Sequence, residues 1–390
     1  MKKILAIFLA LVFAFSMAAC AGAPTPEPAD QPSEAPVTEQ KTEEPVASAD
    51  GTYEIALVTD VGNIDDKSFN QGTWEGVKAY AEANGKTFNY YRPSEDSDEA
   101  RIETIKTAIE KGAKVVACPG YLFASAVGTL QEQYPETMFL VLDVSLRDLP
   151  NPAANTALVT YQEEQAGYFA GYAAVKEGYT KLGFLGGMAV PAVIRYGYGF
   201  VQGCNDAGKE MNDEITVEYV YGNKFAGTPE ITAYMDTWYQ EKGVQVVFAC
   251  GGGIYTSATE AAKKANGKVI GVDTDQAATI NKLGTEGMTV TSAMKGLGAT
   301  VKATLKDVIE NGNWANYGGK IATLGLVSGD DPELNYVQIP MESTQWTDTF
   351  TKDDYKALVK SMFDGTVKVS DDTSAMPAHS IIVNEYDNIM

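Results

Sequence analysis

The sequence predicts an α/β protein built as two doubly wound, parallel-sheet lobes joined by a hinge of three crossovers. Three observations predict it. Short apolar runs of strand length alternate with longer amphipathic segments of helical period, the pattern of βαβ units. The alternation occurs twice with no internal repeat that aligns, so it reads as two sheets rather than one very large one. After residue 289 the remaining segments fit a chain that returns to the first lobe and then leaves it again.

In chain order, Lys2 and Lys3 precede an apolar run over 4–15, and Met17-Ala18-Ala19 leads to Cys20. A basic start, a short apolar stretch and small residues describe a secretory signal over 1–19, and the run is short for a membrane span. A cysteine directly after small residues resembles the bacterial lipobox. Cys20 is therefore the expected site of lipidation, holding the chain at the extracellular face of the cell membrane. Residues 20–50 are rich in Pro, Glu, Thr, Ala and Ser and have almost no bulky apolar side chains. Such a segment buries too little surface to offset chain entropy, and reads as a disordered tether.

Strands are expected at 53–58, 88–92, 115–118 and 139–144, with helices at 74–84, 100–111 and 124–134. A second series follows, with strands at 182–185, 217–220, 246–249 and 269–272 and helices at 164–177, 195–211, 231–242 and 255–266. The run 289–291 leads into a helix at 296–311 that rejoins the first lobe, and 322–327 crosses back. The acidic tail from 330 reads as irregular and closes on the second lobe. The N-terminal lobe is thus expected over 51–155 and 290–322, and the C-terminal lobe over 156–289 and 323–390.

The formal charge is −22, from 30 Lys+Arg and 52 Asp+Glu, and loss of residues 1–19 takes it to −24. That balance disfavours nucleic acid and anionic membrane as partners of the folded body. Cys118, Cys204 and Cys250 lack metal-ligand spacing, and His379 is solitary. They read as buried free thiols, with one disulfide pair left open. Neither a metal nor a cofactor is expected.

The loop 59–72, Thr-Asp-Val-Gly-Asn-Ile-Asp-Asp-Lys-Ser-Phe-Asn-Gln-Gly, joins the first strand to the first helix. Ser68 and Gln71 have capping-box spacing. Ligands of open α/β sheets bind beyond the carboxyl ends of strands, where this loop lies. Phe69, a large apolar side chain among polar ones, is either a staple on the helix or a ligand contact. Asp143 ends the strand at 139–144, either Asp273 or Asp275 falls at a strand end, and Lys295 lies at a crossover. Gly251-Gly252-Gly253 suits a tight turn or close approach of backbone to ligand. A phosphate cradle is set aside, because no Gly-Lys-Ser/Thr follows.

The motif Asp-x-Gly-x-Ile-Asp-Asp-Lys-Ser-Phe-Asn-Gln, with Gly-Val-Asp-x-Asp-Gln at 271–276 and Thr-Ser-x-x-Lys at 291–295, resembles the basic membrane protein family. These are PnrA-like nucleoside-binding lipoproteins of bacterial transport systems, and the resemblance runs from about residue 53 to 327. It implies the type I periplasmic binding protein architecture and a purine nucleoside held between the lobes. By that resemblance Phe69 and Phe225 stack on the two faces of the base, and Asn70 and Asp143 read its edge. Asp273 and Lys295 hold the ribose hydroxyls, and Asp60 and Gly251 complete the site. The implied partners are the permease and ATPase of an ABC importer, with the binding protein itself a monomer. A flavin-like or sugar ligand is the alternative within the binding class. A nucleoside hydrolase is the alternative outside it, since carboxylates beside a ribose can activate water. The tether and the lack of a metal cluster or second histidine weigh against an enzyme.

Overall fold

A computed structural model describes residues 54–389. The signal segment, Cys20 and the tether lie outside the described residues. The first sheet holds β1 (Ile55–Val58), β2 (Phe88–Tyr91), β3 (Val115–Pro119), β4 (Met138–Leu142) and β5 (Thr156–Tyr161). Its helices are α1 (Phe69–Ala83), α2 (Asp98–Glu110) and α3 (Ala124–Leu130). The second lobe opens with α4 (Glu163–Lys176), β6 (Lys181–Gly186) and α5 (Pro191–Met211). It continues with β7 (Thr216–Tyr221), α6 (Pro229–Thr237), β8 (Val246–Cys250), α7 (Tyr255–Ala265), β9 (Lys268–Asp273), α8 (Ala277–Leu283) and β10 (Thr289–Lys295). Helix α9 (Leu297–Leu305) and β11 (Lys320–Leu324) return to the first lobe. The chain ends in the second with β12 (Val337–Gln338), α10 (Lys352–Phe363) and β13 (Ile382–Glu385).

The strand orders are β11-β5-β4-β3-β1-β2 and β12-β10-β9-β8-β6-β7-β13. All pairs are parallel except β10 with β12. Helices cover both faces, so β1, β3 and β8 are buried along their whole length and read as continuous apolar runs. The outer faces pack around Phe123 and Phe139 in the first lobe and around Trp238 and Met235 in the second.

The chain crosses between the sheets three times, at residue 162, at Gly296 and over 325–336. The expected boundaries shift accordingly. Thr156–Tyr161 belongs to the first sheet, where Leu140 sits opposite Ala157, rather than opening the second lobe. Thr289–Lys295 stays in the second sheet beside β9 instead of beginning the return. Lys320–Leu324 is a strand paired with β5, and the last crossing follows it. Thr156–Tyr161 and Lys320–Leu324 are strands where the sequence reading has none, and Lys320–Leu324 is largely exposed and lacks a continuous apolar run. The tail is also less irregular than expected. Thr351 and Asp354 form a capping box at the start of α10, and β13 extends the second sheet alongside β7. Cys118, Cys204 and Cys250 are buried free thiols.

Helices α4 and α5 touch backbone to backbone. A Cβ at Gly167 would lie 2.1 Å from the Tyr196 carbonyl oxygen, and one at Gly199 2.0 Å from that of Glu164. Only glycine permits this approach. It sets the start of α4, with Glu163, against the first turns of α5, with Arg195 and Tyr196.

Candidate functional site

The carboxyl ends of strands from both lobes meet in one cleft of about 610 Å³, its open mouth included. Asp60, Phe69, Asn70, Asp143, Phe225, Gly251, Asp273 and Lys295 all line it. Tyr121, Val193, Tyr196 and Cys250 do so as well and are not among the ligand contacts expected from sequence.

The loop after β1 forms one polar pole. Asp60 Oδ1 accepts from the Gly62 N–H at 2.6 Å and from Asn70 Nδ2 at 2.8 Å. The same amide nitrogen donates to Asp66 Oδ2 at 2.9 Å, and Asn70 Oδ1 accepts from the Asp60 N–H at 3.1 Å. Both amide protons of Asn70 are therefore spent inside the loop. Asp66 caps α1 by accepting from the N–H groups of Ser68, Asn70 and Gln71 at 2.8, 3.0 and 3.1 Å. The capping box expected of Ser68 and Gln71 does not form, since neither side chain bonds its reciprocal backbone N–H. Gln71 Oε1 reaches back to the Lys67 N–H, and the Ser68 hydroxyl crosses to the second lobe and donates to Asp273 Oδ2 at 2.5 Å. Asp66 takes the cap because its two oxygens serve three amides, leaving the serine free to bridge. Two further bonds cross here, from Thr274 Oγ1 and Gln276 Nε2 to the Lys67 carbonyl oxygen at 2.8 and 2.9 Å.

The second pole is centred on Lys295 at the end of β10. Its Nζ lies 2.5 Å from Asp143 Oδ2, 3.3 Å from Glu163 Oε1 and 3.8 Å from Asp273 Oδ1. It also sits 4.3 Å from the centre of the Phe69 ring, with Tyr161 and Tyr196 at 5.4 and 5.7 Å, a cation–π arrangement. Glu163 Oε2 is held in turn by Arg195 Nε at 2.6 Å. Asp143 and Asp273 both adopt φ near +60°, 61° and 64° respectively. Aspartate tolerates that left-handed conformation better than most residues, and it turns each carboxylate off its strand end.

Burial dominates the electrostatics. It pushes the Asp143 carboxyl up to about 7, against the pull of Lys295, with Glu163 raising it further. Burial likewise raises Asp60, Asp273 and Asp66, the last to about 6. Burial alone would lower Lys295, yet Asp143, Glu163 and Asp273 together hold it above the ordinary lysine range, so it is an ammonium. Burial would raise Glu163, but Arg195 and Lys295 outweigh it and keep that carboxylate ionised.

Phe225 reaches the cleft from the second lobe on a loop seated against glycines. A Cβ at Gly187 would come within 2.5 Å of its ring and one at Gly251 within 3.0 Å, and its carbonyl oxygen accepts from the Gly253 N–H at 2.9 Å. The glycine run thus makes room for the Phe225 loop as well as lining the cleft.

One grouping differs from the expectation. Asp143, expected with Asn70 at a base edge, is ion-paired to Lys295, while Asn70 locks Asp60. The reason is Lys295, whose ammonium draws in every carboxylate within reach. Glu163 and Arg195 went unnoticed because an acid in a helix's first turn is common, and nothing local shows a lysine 132 positions away.

Residues 54–369 match the family described as ABC transporter substrate-binding protein PnrA-like, or Bmp. The chain belongs to the Bmp family. It is 28% identical over 291 residues to the ABC transporter nucleoside-binding protein BmpA of Lactococcus lactis subsp. cremoris, covering 70% of this chain and 79% of that one. It is 25% identical over 321 residues to basic membrane protein A1 of Borrelia garinii subsp. bavariensis, covering 78% and 91%. Among solved structures, an ABC transporter solute-binding protein from Aeropyrum pernix K1 superposes with a TM-score of 0.64 at 19% identity, covering 81% of this chain and 87% of that one. That likeness shows the fold, the type I periplasmic binding protein architecture.

As a Bmp protein the chain is the substrate-binding component of an ABC transporter and not an enzyme. It takes a small-molecule ligand, works with the transporter's membrane components and acts on the extracytoplasmic side of the membrane. Among the described residues no helix is long and apolar enough to cross a membrane.

Proposed function

We propose that this Bmp protein binds a purine nucleoside in the cleft and delivers it to an ABC importer while anchored by a lipid on Cys20. The observation that carries the reading is the lysine-centred pole beside an aromatic ring, Lys295 within 4 Å of two cleft carboxylates and 4.3 Å from the Phe69 centroid. A ligand that fits has a flat apolar face and adjacent hydroxyls, as a nucleoside does. Phe69 and Phe225, from opposite lobes, take the base by offset stacking. Asp273, Asp143 and Lys295 take the ribose, the carboxylates accepting from hydroxyls and the ammonium donating. Asp60, fixed by Asn70, presents its remaining oxygen to the base edge. The nucleoside-binding relative in Lactococcus supports the same reading.

Asp273→Ala tests it. The change leaves ribose hydroxyls unpaired in a buried site, which costs on the order of 1–3 kcal/mol. Calorimetry should show adenosine, guanosine and inosine weakened while free bases are hardly affected. Equal loss for bases and nucleosides would place Asp273 elsewhere than on the sugar.

The lipid anchor rests on Lys2-Lys3, the apolar run and Ala18-Ala19 before Cys20. Cys20→Ala should release the protein or leave the precursor uncleaved. Normal retention at the cell surface would contradict the anchor.

A further inference from the structure

Two of the three crossings between the lobes carry charges that meet inside the protein. Glu163 opens α4 just after the first crossing, and Lys295 closes β10 just before the second. Glu163 is fully buried and does not line the cleft. One of its oxygens lies 3.3 Å from Lys295 Nζ, and the other receives Arg195 Nε at 2.6 Å. Lys295 in turn reaches Asp143 Oδ2 at 2.5 Å. The result is a line of alternating charge, Arg195–Glu163–Lys295–Asp143, running from α5 to the first-lobe wall of the cleft. Its end, Asp143 Oδ1, is buried with no hydrogen-bond partner among the described residues. A buried carboxylate is strongly unfavourable unless paired. Glu163 meets that condition through two cations, one of them a cleft residue.

We infer that Glu163 is a positioning residue for ligand recognition, which without touching the ligand fixes the Lys295 ammonium and sets the charge state of Asp143. The inference rests on the reading of the cleft as the nucleoside site. The charged groups around Asp143 are Lys295 on β10, Glu163 on α4, Arg195 on α5 and, across Lys295, Asp273 at the end of β9, while Tyr161, Tyr196 and Cys250 are held neutral by burial. Glu163 disfavours ionised Asp143 and Arg195 favours it. Removing the two should therefore move Asp143 in opposite directions. General loosening of the site would move it the same way in both cases, toward the ordinary carboxyl value.

The test is a carbon-13 carboxyl titration by NMR of the ligand-free mature chain, with Asp143 assigned by its loss in Asp143→Asn. In the wild type the Asp143 signal should titrate near pH 7. In Glu163→Gln it should titrate lower by about one pH unit or more, and in Arg195→Gln higher. Guanosine affinity measured across the same pH range should change at correspondingly shifted values. A folded Glu163→Gln in which Asp143 titrates as in the wild type overturns the inference. Should that variant fail to fold, an unmoved or lowered Asp143 in Arg195→Gln overturns it equally. A wild type that binds no nucleoside at any pH would end the nucleoside reading, and the ligand-free carboxyl titrations would still decide whether Glu163 governs Asp143.

Discussion

Lys295→Ala should abolish nucleoside binding and destabilise the fold by about 3–5 kcal/mol, the usual effect of removing one partner from a buried ion pair. Three carboxylates, Asp143, Glu163 and Asp273, face its ammonium within 4 Å, and all are buried. Without it their mutual repulsion has no counter-charge inside the cleft. The loss should depend on pH in a definite sense. Asp143 is already raised to about 7 in the native state. Between the ordinary carboxyl range and that value the native state holds a proton that the unfolded chain has lost. Stability contributed by this group therefore falls as pH rises through the window. Removing the lysine raises the carboxyl further, so the variant should lie closest to the wild type at about pH 5 and furthest from it at about pH 8. Urea denaturation at the two values checks this. A variant as stable as the wild type at the higher pH would show that the lysine does not hold the cluster together.

Phe69→Ala should weaken every flat ligand by about 2–4 kcal/mol, or roughly 30- to 1,000-fold. The ring is nearly buried at the start of α1, 9% exposed, with Lys295 against it. Truncation removes contact area, a stacking face and the nearest of three rings against Lys295 together. Nucleosides and free bases should suffer alike, in contrast to Asp273→Ala. Calorimetry on both ligand types separates the two variants. An unchanged affinity for free base would mean that Phe69 is a staple on the helix and not part of the ligand site.

The strands that form the sheet centres were legible because a parallel strand covered on both faces leaves an unbroken apolar run, as in Ile55–Val58 and Val246–Cys250. Sheet membership was not. Thr156–Tyr161 has the same buried character whether it pairs with Leu140 of the first lobe or starts the second. All eight ligand-site residues proposed from sequence share one cleft because each lies at or after the carboxyl end of a strand, a position that chain order reveals. Their pairing within the cleft was hidden. Ser68 has the spacing of a cap, yet its hydroxyl serves Asp273, 205 positions on. Glu163 looks like any acid at a helix start until Lys295 is seen beside it. The glycines of α4 and α5 carried a signal that went unused. Gly167, Gly171, Gly199 and Gly203 recur every four residues on two helices, the mark of backbones in contact, and that contact brings Glu163 to Arg195.

The central claim is that the cleft holds a purine nucleoside. Its most direct test is mass spectrometry of the small molecules released when gently purified protein is denatured. The expected result is one or more purine nucleosides in stoichiometric amount, exchanging with added guanosine or adenosine before denaturation. Recovery of a sugar or a flavin-like compound instead, with no exchange against any nucleoside, would contradict the claim.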